Sequence, residues 1–176
     1  MTGRLSAAYG HLLAGLALVG CAILFAMMLV IVGDVLLRNV PVPGLPRGLA
    51  WSNEVSELML YLLTMCVAPW LLRQGQHIRV DILLQALPPR LAWSLEWLGD
   101  IIGLACCLFL TVYGAKAAWA SYAGGALSIK TLVTPEWWSL APLPIAFALL
   151  SVEMLFRMGR LAAADKGPRR DAVSAA

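Results

Sequence analysis

Apolar positions run without a charged residue from Leu5 to Gly33, and Leu12–Val32 is apolar almost throughout. At 1.5 Å per residue that stretch crosses about 30 Å of hydrocarbon. Three shorter windows follow, Leu58–Leu72, Ile101–Ala115 and Trp137–Val152. Glu54 and Glu57 precede the first of these and Arg73 follows it, while Glu153 and Arg157 close the last. These windows are only 15 or 16 residues long, so each spans a bilayer by taking in flanking residues whose charged ends snorkel to the headgroups. The pattern predicts an all-α integral membrane protein with four transmembrane helices, over about 12–36, 52–73, 90–120 and 136–158. The first window does not read as a cleavable signal. It exceeds about 15 apolar residues and is followed by Asp34-Val-Leu-Leu-Arg38, with no small-residue cleavage site.

The interruptions define the connections. Pro41, Pro43 and Pro46 remove backbone donors and fix φ, which makes the first connection non-helical. Ser52 or Asn53 is suited to cap the second helix, with Glu54 in its first turn at the positive end of the dipole. Gly75 suits the residue just past that helix, and Pro89 suits the first turn of the next. Between them Ile78, Ile82 and Leu83 recur at helical spacing ahead of Pro88-Pro89, which predicts a short interfacial helix between helices two and three.

Composition narrows the class. The chain is 61% hydrophobic and 13% charged, with a mean hydropathy of +0.80. A disordered chain needs few apolar residues and many charges, and a soluble domain needs more charge on its surface. With 176 residues there is room for four or five crossings and no separate soluble domain. The chain therefore reads as one membrane domain over 1–176, with 162–176 as a tail. Nine Lys and Arg (Arg4, Arg73, Arg79, Arg90, Arg157, Arg160, Lys166, Arg169 and Arg170) fall on the side shared by both termini, against Arg38, Arg47, Lys116 and Lys130 on the other. The positive-inside rule puts both termini in the cytoplasm. The tryptophans agree: Trp51, Trp119, Trp137 and Trp138 fall at the outer boundary, and Trp70, Trp93 and Trp97 at the inner one.

Candidate chemistry is sparse. The central turns of the four helices carry no Asp, Glu, Lys, Arg or His. A carrier with its own midplane ion site would place one there, at a cost of about 2.5–3.5 kcal/mol on insertion scales. A small multidrug exporter would need such a carboxylate. Cys21, Cys66, Cys106 and Cys107 match no metal spacing and read as small buried hydrophobes. His11 and His77 lie in different segments, which suits neither a metal site nor a haem held between helices. No cofactor, metal or nucleic-acid site is expected. Gly10/Ala14 and Gly99/Gly103, at four-residue spacing, are small pairs suited to close helix packing.

The boundary charges remain. Asp34–Arg38 and Glu153–Arg157 have the acidic-first i, i+4 order of intrahelical pairs. Glu54 and Glu57 share one face with Tyr61, either as a contact for a partner helix or basic group, or as a helix start among headgroups. His77, Arg79 and Asp81 lie within five residues at the membrane surface, which suits docking of another chain, local structure or a proton relay.

Three ordered motifs carry a resemblance. Trp51-Ser-Asn-Glu54 opens helix two, Arg73-Gln-Gly75-Gln-His77-Ile-Arg-Val-Asp81 follows some twenty residues later, and Thr134-Pro135-Glu-Trp137-Trp138 leads into Pro142-Leu-Pro144. In this order they resemble the small membrane subunit (DctQ-like, or Q subunit) of tripartite ATP-independent periplasmic (TRAP) transporters, over the whole four-helix length. Asn53 departs from the pattern, standing where the family often has a second acidic residue. The resemblance implies a non-catalytic subunit of a sodium-coupled organic-acid transporter in the bacterial inner membrane. Its implied partners are a large membrane subunit that carries the transport sites and a periplasmic solute-binding protein. The expected partner contacts are Trp51, Glu54, Glu57, His77, Arg79 and Asp81. A membrane anchor of a respiratory enzyme is the alternative.

Overall fold

The computed structural model describes residues 2–40, 44, 46–75 and 88–163. Four helices are long and apolar enough to cross a membrane, so the chain is a multi-pass, all-α membrane protein. They are α1 (Thr2–Asn39), α2 (Ser52–Arg73), α3 (Pro89–Gly124) and a fourth span broken into α4 (Trp137–Leu140) and α5 (Pro142–Ala163). The break at Ala141 follows from Pro142 and Pro144, which cannot donate to the carbonyls four residues back. The predicted interfacial helix and the tail fall outside the described residues, apart from the tail's first two positions, which end α5.

The helices pack as two antiparallel pairs, α1 with α2 and α3 with α5, joined where α2 runs alongside α5. A small core of Leu72, Cys107 and Leu150, flanked by Ala68, Phe147 and Met154, fills the junction of α2, α3 and α5. Glycines set how closely each pair approaches. A Cβ on Gly20 would meet Val67 Cγ2 at 2.5 Å, one on Gly103 would meet Met154 Cε at 2.8 Å, and one on Gly114 would collide with the Leu143 side chain. Of the small pairs singled out in the sequence, Gly10 lies against the Arg73 guanidinium, but Gly99 faces open space and packs nothing. Gly20 and Gly114 do more of this work than spacing alone suggested.

Helix ends are set mostly by backbone. Pro89 occupies the first turn of α3, and the left-handed Gly75 (φ +71°) and Gly125 (φ +61°) follow α2 and α3. Neither Ser52 nor Asn53 caps α2. Trp51 is the N-cap, with helical φ and ψ and no side-chain cap bond, and Ser52 is buried beside the Asp34 carboxylate. The first connection explains this arrangement: Asp34 Oδ1 accepts from Leu49 N at 2.6 Å and Oδ2 from Arg38 Nε at 2.9 Å. The bond from Leu49 draws the chain back over the end of α1 before α2 begins, and the i, i+4 pair with Arg38 holds the carboxylate in place.

One element was absent from the sequence expectations. After Gly125, an antiparallel hairpin of β1 (Leu127–Ile129) and β2 (Val133–Pro135) pairs Leu127 with Pro135, Ser128 with Thr134 and Ile129 with Val133.

Candidate partner-docking site

The two ends of the bundle carry different polar chemistry. At the end holding Arg73 and the last turns of α5, charges that are mostly buried join all four spans. Glu153 of α5 is wholly buried and accepts from Arg73 Nη1 at 3.0 Å and from Arg160 Nη2 at 2.7 Å. Arg73 Nη2 also donates to the carbonyl and hydroxyl oxygens of Ser6 on α1, at 2.8 and 3.0 Å. Across the α3–α5 seam Arg157 Nε lies 3.1 Å from Asp100 Oδ1, with both side chains buried. The expected Glu153–Arg157 pair is thus replaced by bonds between helices and by Arg160 one turn further on. In a low-dielectric interior, a carboxylate able to meet two guanidiniums is held there more strongly than by one local partner.

At the opposite end the hairpin is tied to the start of α2. Glu54 accepts two backbone bonds from the hairpin turn, Thr131 N to Oε1 at 2.6 Å and Leu132 N to Oε2 at 3.0 Å. One turn along α2, Glu57 Oε2 lies 3.2 Å from Lys130 Nζ in an exposed pair. The i, i+3 spacing read from the sequence therefore does place two carboxylates on one face, and both reach the chain's own hairpin. Below them a cleft of about 390 Å³ lies between α2, the hairpin and α4, with Glu54, Tyr61, Ser128, Thr134 and Leu143 on its walls.

Strand register separates the two faces of the hairpin. Ser128 and Thr134 pair with one another and line the cleft. Alternation turns Leu127, Ile129 and Val133 the other way, and all three are exposed, Ile129 by 81%. Trp51, the N-cap of α2, is exposed at the same end, as are Trp119 and Trp138. Of the six expected contact residues, the structure thus gathers Trp51, Glu54 and Glu57 at one end, with the hairpin between α3 and α4. His77, Arg79 and Asp81 lie outside the described residues.

Sequence reasoning missed the hairpin and with it the role of Glu54. The signal was there: Gly124-Gly125 ends α3, and Leu127-Ser-Ile129 followed by Val133-Thr-Pro135 alternates apolar and polar positions with β-branched residues. Strands of three residues carry too short an alternation to stand out from the apolar windows on either side. Among the described residues, no cluster of three or more His, Cys, Asp or Glu is placed to hold a metal.

The fold defines a multi-pass membrane protein whose charges sit at the two ends of the bundle. The family model for the DctQ component of tripartite ATP-independent periplasmic transporters matches residues 27–164, and the chain belongs to that family of transporter components. No curated protein matches the chain. The match supports the small-subunit reading and lends nothing to a respiratory anchor.

Proposed function

We propose that this chain is the static, non-catalytic subunit of a TRAP transporter in a bacterial inner membrane, with both termini in the cytoplasm. In this reading it braces a large membrane subunit, which carries the substrate and coupling-ion sites, and helps seat a periplasmic solute-binding protein. The cargo class is an organic acid and the coupling ion is sodium, both carried over from the resemblance. Trp51, Glu54, Glu57 and the hairpin form the periplasmic docking end, and His77, Arg79 and Asp81 a cytoplasmic contact. The whole chain acts as one domain.

The observation that carries this reading is how the chain spends its few charges. The Arg73–Glu153 and Arg157–Asp100 pairs tie helices together, Arg160 adds a second bond to Glu153 within α5, and Glu54 ties down a hairpin. Each span meanwhile buries only 6–22% of its apolar window inside the chain. Such a body is internally braced and laterally apolar, which suits a fixed part packed against a larger membrane partner. The testing experiment is purification of the tagged chain from its native membrane. Recovery with a much larger membrane protein is expected, and a chain that purifies alone from membranes containing that protein overturns the reading.

A further inference from the structure

A wedge-shaped groove of about 470 Å³ opens between α1 and α5, with α2 as its floor. Leu16, Leu62, Met65, Trp138, Ile145 and Leu149 line it. The wedge arises because α1 packs closely on α2 but meets α5 near only one end. There Tyr9 Oη donates to the carbonyl of Leu149 at 2.6 Å, and the Tyr9 ring lies 5.6 Å from that of Phe156. Those contacts close the groove at the level of Leu149. It stays open towards Trp138, which is 53% exposed, and Ile145, which is 63% exposed.

Two dimensions identify an occupant. From Trp138 to Leu149 the fourth span advances eleven residues, or about 16 Å at 1.5 Å per residue. One leaflet of a hydrocarbon core about 30 Å thick is about 15 Å deep. The mouth lies at an indole, whose amphipathic ring favours the headgroup level. The groove therefore begins where acyl chains begin, ends near where they end, and is lined by apolar side chains. A partner helix crossing the whole membrane would instead meet the Tyr9–Leu149 bridge halfway along its path. We propose that the wedge is a binding site for one acyl chain of a phospholipid, drawn from the leaflet on the hairpin side.

The test uses the full chain in the complex in which it purifies, reconstituted into phosphatidylethanolamine/phosphatidylglycerol vesicles. These contain a phosphatidylcholine with a photoactivatable diazirine either near the acyl carboxyl or at the chain end. After irradiation, mass spectrometry should find adducts on the groove residues several-fold above those on Leu18 and Phe109, which are also exposed but lie outside it. The carboxyl-proximal probe should mark Trp138, and the chain-end probe Leu149. Ala141→Phe, or Ile145→Trp at an exposed position, should remove the groove adducts and leave those at Leu18 and Phe109 unchanged. Groove labelling no higher than at Leu18 and Phe109, or an inverted depth order, overturns the proposal. So does crosslinking of a benzophenone placed at Leu62 to another subunit.

Discussion

Arg73 of α2 donates to Glu153 of α5 across 3.0 Å, and the carboxylate it meets is wholly buried. This bond joins the two helix pairs, because Arg73 also holds Ser6 of α1 and Glu153 also holds Arg160. Removing one partner from a buried pair strands the other charge, which costs about 3–5 kcal/mol, whereas replacing both with apolar groups is often neutral.

Glu153→Leu should therefore lower the thermal midpoint of the purified chain by the equivalent of about 1–3 kcal/mol, since the stranded Arg73 keeps its bonds to Ser6. Adding Arg73→Met should recover much of that loss. Thermal unfolding in one detergent checks both variants. Additive losses would mean that the two residues act independently.

Two glycines on α1 provide an internal control on packing. A Cβ at Gly20 meets Val67, while one at Gly15 meets nothing within 4 Å. Gly20→Ala should destabilise by about 1–3 kcal/mol through overpacking. Gly15→Ala should stabilise slightly, since Gly costs a helix up to about 1 kcal/mol relative to Ala. The same melting measurement distinguishes them, and equal shifts would contradict the approach of α1 to α2.

The hairpin should depend on a residue over seventy positions earlier in the chain. Glu54→Ala removes the acceptor for Thr131 N and Leu132 N. Amide hydrogen exchange should accelerate at those two positions and stay unchanged in α3. Unaltered protection at Thr131 and Leu132 would show that the turn holds itself.

The membrane spans were legible because their signal is long and one-dimensional: four charge-free windows with charges and tryptophans at the ends. Gly75, Pro89 and the Asp34–Arg38 pair were legible because their partners lie within a turn or two. Glu153 was misassigned for the opposite reason. Its nearest basic neighbour in sequence was Arg157, but the helix it packs against brings in Arg73 from eighty residues away. Glu54 was placed on the correct face of α2 without its true acceptor role, because its donors are backbone groups of a hairpin that hydropathy does not register. Pairing across the fold depends on which helices meet, and helices apolar nearly all round do not state that in sequence.

The docking end predicts an order among variants. Trp51→Ala, which removes an exposed indole, and Glu54→Ala, which frees the hairpin, should each weaken association with the transporter's partners more than Cys106→Ala. Cys106 is exposed on the middle of α3. Pull-down yields of the large subunit and of the solute-binding protein measure this, and equal yields for all three variants would argue against a docking role for that end.

The central claim is that this chain supports transport without performing it. Uptake of a radiolabelled organic acid into proteoliposomes under a sodium gradient tests it most directly, with the chain, the large subunit and the solute-binding protein supplied singly and together. The account predicts uptake only when all three are present and none with this chain alone. Uptake by this chain alone, or undiminished uptake when it is left out, would contradict it.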